Sequence, residues 1–121
     1  MKSNPTLGQL GEKKVCSFLQ DQGYEIVEEN YRSDVGEIDV IAKHHDYLCF
    51  IEVKTRSQQE SGHPFEAITS WKKRRIIRCA QFYLLENNLP EENIRFDVIA
   101  VIQDEQRRLE FDHLENAFGE E

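Results

Sequence analysis

Three observations predict an α/β domain whose elements run α, β, β, β, α, β around a single core. The stretches Gly36-Glu37-Ile38-Asp39-Val40-Ile41-Ala42 and Tyr47-Leu48-Cys49-Phe50-Ile51-Glu52-Val53-Lys54-Thr55 are β-branched, aromatic and aliphatic runs joined by a short connector, which is the signature of an antiparallel hairpin. Helices are expected on either side of it in the chain, over about residues 7–22 and 71–87. After the second helix, Ile94 to Ile102 is apolar enough to be a central or near-central strand. With 121 residues and no repeat or linker, the chain is one domain, its core about residues 7–102 and its remainder, about 103–121, an acidic extension.

In order along the chain, residues 1–5 are expected to fray, and Pro5 and Thr6 stand just ahead of the first helix. Leu7, Leu10, Val15, Phe18 and Leu19 fall on one arc at roughly 100° per residue and form its buried stripe, with Glu12 at the edge of that arc. Gly23 closes the helix as a C′ glycine. Tyr24 to Asn30 reads as a strand near a sheet edge because its charges face outward, and Tyr31 to Asp34 as the lead into the hairpin. Lys43 to Asp46 is the hairpin connector. Thr55 to Pro64 is polar without an apolar period, hence a mobile loop, and Phe65 to Ile68 suits a turn of helix. Thr69 or Ser70 caps the second helix, which Asn88 and Pro90 terminate. Asp104 to Gln106 is a turn, Arg108 to Phe111 a short edge strand, and the final residues loose.

Composition narrows the class. Apolar residues make up 39% and charged residues 31%, a globular balance without a disorder signature. No apolar run approaches the roughly 20 residues of a membrane span, and Met1 to Pro5 has no secretory h-region, so the expected location is cytoplasmic with no membrane partner. Cys16, Cys49 and Cys79 are too far apart for zinc spacing and read as reduced thiols in or near the core. The net charge of -8 opposes a nucleic-acid partner, but its distribution does not. Residues 1–85 hold 12 basic and 12 acidic side chains, and residues 86–121 hold 3 and 11. The excess negative charge therefore lies in the last third, and the first two thirds can present a local basic surface.

The hairpin carries the chemistry. Alternation puts Glu37 and Asp39 on one face, with Ile38, Val40 and Ala42 on the other. Likewise Glu52 and Lys54 share a face opposite Ile51, Val53 and Thr55. Acids in strands this apolar are costly unless they are ion-paired or hold a cation. Two carboxylates on neighbouring strands, with a lysine two residues after the second, are what a metal-dependent phosphodiesterase needs. Hard oxygen ligands select Mg²⁺ or Mn²⁺, and the lysine can orient a water or stabilise charge developing on phosphorus. A satisfied ion-pair cluster is the alternative reading. In the second helix, Lys72, Lys73, Arg74, Arg75 and Arg78 crowd the N-terminal half against the macrodipole. An anion held at that end would explain them, and a solvated cationic face is the plain alternative. Asp97, a lone acid in a strand, reads as a partner for a nearby arginine.

Taken together, Gly8 to Gly11-Glu12, Gly36-Glu37-Ile38-Asp39, Phe50-Ile51-Glu52-Val53-Lys54-Thr55-Arg56, Thr69 to Lys72 and Arg95-Phe96-Asp97-Val98 resemble the YraN-type family of small bacterial proteins. Asp39 followed by Glu52-Val53-Lys54 resembles the signature of the PD-(D/E)xK nuclease superfamily, in which YraN-type proteins are likened to archaeal Holliday-junction resolvases. The resemblance spans about residues 8–102. It implies a restriction-endonuclease-like core with a mixed central sheet flanked by helices, and an active site of Glu12, Asp39, Glu52 and Lys54. On this reading Asp39 and Glu52 bind Mg²⁺ (or Mn²⁺), Glu12 reaches in from the first helix to the same ion, and Arg56, Lys72 and Arg75 grip DNA phosphates. The implied activity is endonucleolytic cleavage of DNA, with branched DNA as a candidate substrate; a homodimer would suit a four-way junction. A nucleic-acid-binding accessory module with little catalysis and a protein-interaction module are the competing functions.

Overall fold

The computed structural model describes residues 6–59, 62–90 and 93–119. Its elements are α1 (Leu7–Asp21), β1 (Glu25–Ser33), β2 (Gly36–His44), β3 (Tyr47–Ser57), a 3₁₀ turn (Pro64–Ala67), α2 (Ser70–Glu86), β4 (Ile94–Gln103) and β5 (Leu109–Phe118). The strands form one sheet in the order β1-β2-β3-β4-β5, antiparallel at every junction except β3–β4, which is parallel. This is the mixed sheet of an αβββαβ core with one further strand at its edge. The parallel junction follows from α2, which carries the chain back to the start of the sheet before β4.

Local chemistry sets the helix ends. Thr6 caps α1 in a reciprocal box with Gln9, its hydroxyl accepting from the Gln9 N–H and the Gln9 side chain accepting from the Thr6 N–H. At the other end Gly23 takes φ 90, and the Tyr24 and Gly23 amides donate to the Leu19 and Gln20 carbonyls, which is a Schellman closure. Thr69, not Ser70, caps α2.

The two helices cover the two faces of the sheet. Val15 and Leu19 of α1 pack with Val40, Ala42, Ile51, Val53, Ile99 and Val101. Ile76, Cys79, Ala80 and Tyr83 of α2 pack with Ile38, Ile41, Phe50 and Phe96. β3 and β4, buried on both faces, are the continuous apolar runs that a doubly covered sheet requires. The three cysteines are free thiols, two of them buried. No helix among the described residues is long and apolar enough to cross a membrane.

Several expectations are corrected. Ile38 does not share a face with Val40 and Ala42; it joins the α2 side with Ile41. The β2–β3 ladder ends at Val40↔Ile51, and beyond that point β2 turns away from β3, so strict alternation no longer governs it. Tyr31 to Ser33 belong to β1, leaving Asp34-Val35 as the turn, and the β2–β3 connector shrinks to His45-Asp46, with His45 at φ 55. β3 runs on to Ser57, so the start of the polar loop is strand; residues 60–61 and 1–5 lie outside the described residues. The largest change is β5, a ten-residue strand in place of a four-residue strand and a loose tail. Its acids escaped a strand pattern, but Leu109 and Phe111 pack on the α1 side, and its ladder with β4 absorbs an irregularity between Phe96 and Val98.

Candidate active site

Where β2 parts from β3, the next register positions after Val40↔Ile51 are Asp39 and Glu52. The opening is spanned by a side chain, because the Val53 N–H donates to Asp39 Oδ2 at 2.7 Å in place of a ladder bond. Two carboxylates thus face each other at the mouth of a splayed strand pair. Glu52 is only 5% exposed, and burial followed by the charge of Glu52 pushes Asp39 up to about 7.

Cations answer the acids from two elements. Lys54, two residues along β3, holds its Nζ 3.7 Å from Glu52 Oε1, and Lys72 from α2 closes to 2.8 Å on the same oxygen. Lys72 owes this position to the cap, since the Thr69 hydroxyl accepts from the Lys72 backbone N–H and fixes the first turn over the strand ends. Its charge against the helix dipole is therefore answered by an anion, and that anion is the side chain of Glu52. Burial alone would lower Lys72, but the bond to Glu52 outweighs it and the net direction is up. Lys54 moves the other way: burial, then the adjoining Lys72 ammonium, lower it below the usual lysine range.

α1 supplies the third wall because it approaches β3 unusually closely at Gly11. A Cβ there would run into Thr55 Cγ2, so the close contact calls for glycine. The next residue, Glu12, lines the same cleft as Asp39, Glu52 and Lys54, and burial, then Glu37, Glu52 and Glu29, raises its carboxyl. The cleft, of about 890 Å³, is also lined by Lys72 and Arg75. Of the seven residues singled out from sequence, six line it; Arg56, two positions beyond Lys54 on β3, does not.

Three lining residues escaped the sequence reading. Arg32 falls in what reads as a connector, and on β1 it stands opposite Glu37 and pairs with it at 3.7 Å. Ser33 follows it on the same strand. Trp71, the sole tryptophan, is 60% exposed at the cleft rim, and the Arg75 guanidinium stacks on it at 4.7 Å. Its place one residue before Lys72 is a signal that the sequence does offer.

Chemically, Asp39 and Glu52 are hard oxygen donors on a rigid sheet, with the Val53 backbone between Glu52 and Lys54. Among the described residues no group of three or more His, Cys, Asp or Glu side chains is gathered closely enough to hold a metal ion. A two-carboxylate pair still suits Mg²⁺, which keeps several waters and commonly takes one or two carboxylates together with substrate phosphate.

Comparison with known proteins places the chain among close relatives. The family described as "Uncharacterised protein family UPF0102" matches residues 11–101. A UPF0102 protein of Chlorobium phaeobacteroides (strain BS1) is 46% identical over 117 residues, covering 93% of each chain. One from Clostridioides difficile (strain 630) is 43% identical over 116 residues, covering 96% of this chain and 99% of its own.

Proposed function

The chain belongs to the UPF0102 family, and we propose that it is a metal-dependent DNA endonuclease of the PD-(D/E)xK kind. The observation that carries this reading is the Asp39–Glu52 pair facing each other where β2 and β3 part, with Lys54 and Lys72 on the same carboxylate. A structural ion-pair cluster would neutralise both acids. Here both lysines pair with Glu52, while among the described residues Asp39 keeps one backbone donor and a carboxyl pushed up to about 7, the mark of a site short of positive charge.

Asp39 and Glu52 would hold Mg²⁺ or Mn²⁺, which when bound polarises a phosphoryl oxygen and acidifies a coordinated water. The chain's own groups do the rest. Lys54, lowered by burial and by Lys72, orients the attacking water or stabilises charge developing on phosphorus. Lys72 and Arg75, on the α2 wall, hold the phosphate backbone by charge, with Arg56 continuing the cationic track along β3. Glu12, lining the same cleft from α1, would join the ion's ligands directly or through water.

The test is cleavage of linear and branched DNA by purified protein in Mg²⁺ or Mn²⁺. Lys54→Ala is expected to reduce the rate by about 10²–10³, the loss typical of one preorganised electrostatic group. Equal cleavage by parent and variant would assign the activity to a contaminant.

A second reading has its own observation. The Lys72 ammonium at 2.8 Å already neutralises Glu52 without a metal, which suits an accessory module that binds nucleic acid and does not cut it. The two readings part on divalent ions. An endonuclease site should gain melting temperature with Mg²⁺ or Mn²⁺, and Asp39→Asn should blunt the gain, because a ligand bound only by the native state stabilises it by mass action. No ion-dependent gain in the parent would favour the accessory module.

A further inference from the structure

Trp71 exposes 60% of its surface at the rim of a cleft whose other walls are charged. Its neighbours make this more than a scattered surface aromatic. It stands in the first turn of α2 beside Lys72, which reaches Glu52, and one turn before Arg75, which also lines the cleft. The Arg75 guanidinium lies 4.7 Å from the indole centroid, so it covers one face and, with the residue mostly exposed, leaves the other to solvent. Arg75 also lies near Gly36 at the start of β2, its Nε and backbone carbonyl 3.8 Å from where a Cβ would stand. The indole is thus backed by a cation on one face, and Trp71 lines the cleft with 60% of its surface open.

Resting on the phosphodiesterase reading of the cleft, we infer that the substrate is a DNA strand with an unpaired base beside the scissile phosphate, and that this base stacks on the open face of Trp71. In a duplex each base face is covered by its neighbours, so an indole can stack only on a base that has left the helix or was never in one. The cleft, of about 890 Å³, falls in the size range of small-ligand sites, on the order of 300–1,000 Å³, and has room for a nucleotide with its phosphates. Lys72 and Arg75 lie within one helical turn of the indole, so phosphate and base of the same or adjacent nucleotides can be held together. Trp71 is therefore a specificity-determining residue and takes no part in bond cleavage.

The single tryptophan makes the test direct, because all indole fluorescence reports on this position. Binding is measured without divalent ion by anisotropy of labelled DNA and by Trp71 fluorescence. The probes are a short oligothymidylate, the same strand with its central bases abasic, and a blunt duplex of equal length. The oligothymidylate is expected to quench Trp71 and the abasic strand and duplex to leave it largely unchanged. Trp71→Ala should weaken the oligothymidylate by roughly 5- to 100-fold with little effect on the other two, and Trp71→Phe should restore most of the loss. Arg75→Ala, which removes a phosphate contact, should weaken all three probes and keep their order. Binding without quenching, or a Trp71→Ala loss equal on all three probes, overturns the stacking inference and leaves the phosphodiesterase reading in place. If none of the three binds, the phosphodiesterase reading fails and the inference falls with it.

Discussion

Asp39 and Asp97 are both aspartates inside strands of the same sheet, and their surroundings push them in opposite directions. Asp97, fully buried on β4, accepts from Arg95 Nε and Nη2 at 2.9 Å each, contacts His113 Nε2 at 2.8 Å and accepts from the Asn116 N–H at 2.9 Å. Burial alone would raise it, but His113, Arg95 and Asn116 together hold it below the usual carboxylate range. Arg95 also donates to the Tyr24 hydroxyl, which in turn donates to Glu115, so the network ties the α1–β1 connection, β4 and β5 together. Among the described residues Asp39 has one donor, and it looks across at a second acid. A buried acid whose lone pairs are taken is architecture. One left short of donors beside another acid is a place for a cation, and that contrast, more than the presence of acids in strands, distinguishes the cleft.

The largest expected effect breaks the satisfied network. Asp97→Ala leaves the Arg95 guanidinium buried without its bidentate partner, which should cost about 3–5 kcal/mol in urea unfolding. Any rise in melting temperature with Mg²⁺ should survive in whatever folds, since Asp97 does not line the cleft. A loss near zero would show that β5 is anchored by its apolar side chains and that the network is incidental.

Next comes the close approach that brings Glu12 to the cleft. Gly11→Ala drives a methyl into Thr55 and should destabilise by about 1–3 kcal/mol, the usual range for overpacking, while shifting α1 and Glu12 off the strand ends. The expected signature is a fall in stability together with a weaker response to divalent ion. Destabilisation with an unchanged ion response would mean that Glu12 is only a wall.

Much of this contrast could be read from the chain, and the part that could not has definite causes. The Asp39, Glu52 and Lys54 set is visible because alternation places polar side chains at apolar strand positions, and the partner of Asp97 stands two residues away on the same face, at Arg95. The seat of Lys72 on Glu52 is not visible, because it depends on how α2 crosses the sheet. Nor is the side of Ile38, since the ladder stops where the Asp39 side chain replaces a backbone acceptor. The length of β5 was masked by Glu110, Asp112 and Glu115, which look like a solvated tail until Asp97 is seen to bind His113 and the Asn116 N–H.

The smallest effect is also the one that turns on sign. Asp39 carries a folded-state pKa of about 7, raised from the ordinary 3.8, so its contribution to stability is full below about pH 4 and is lost as pH rises toward 7. Asp97, lowered, behaves oppositely: its contribution is full above about pH 4 and is lost as pH falls below that. Asp39→Asn keeps an oxygen for the Val53 N–H and removes the charge facing Glu52. Without divalent ion, the variant should therefore melt higher than the parent at pH 8, by roughly 5 °C, and the gain should shrink to nothing as pH approaches 4. Adding Mg²⁺ at pH 8 should narrow or reverse the gap, because the ion stabilises only the parent with its full pair of carboxylates. A variant less stable than the parent at pH 8 without metal would mean that Asp39 is already compensated, and the contrast with Asp97 would collapse into two structural ion-pair clusters.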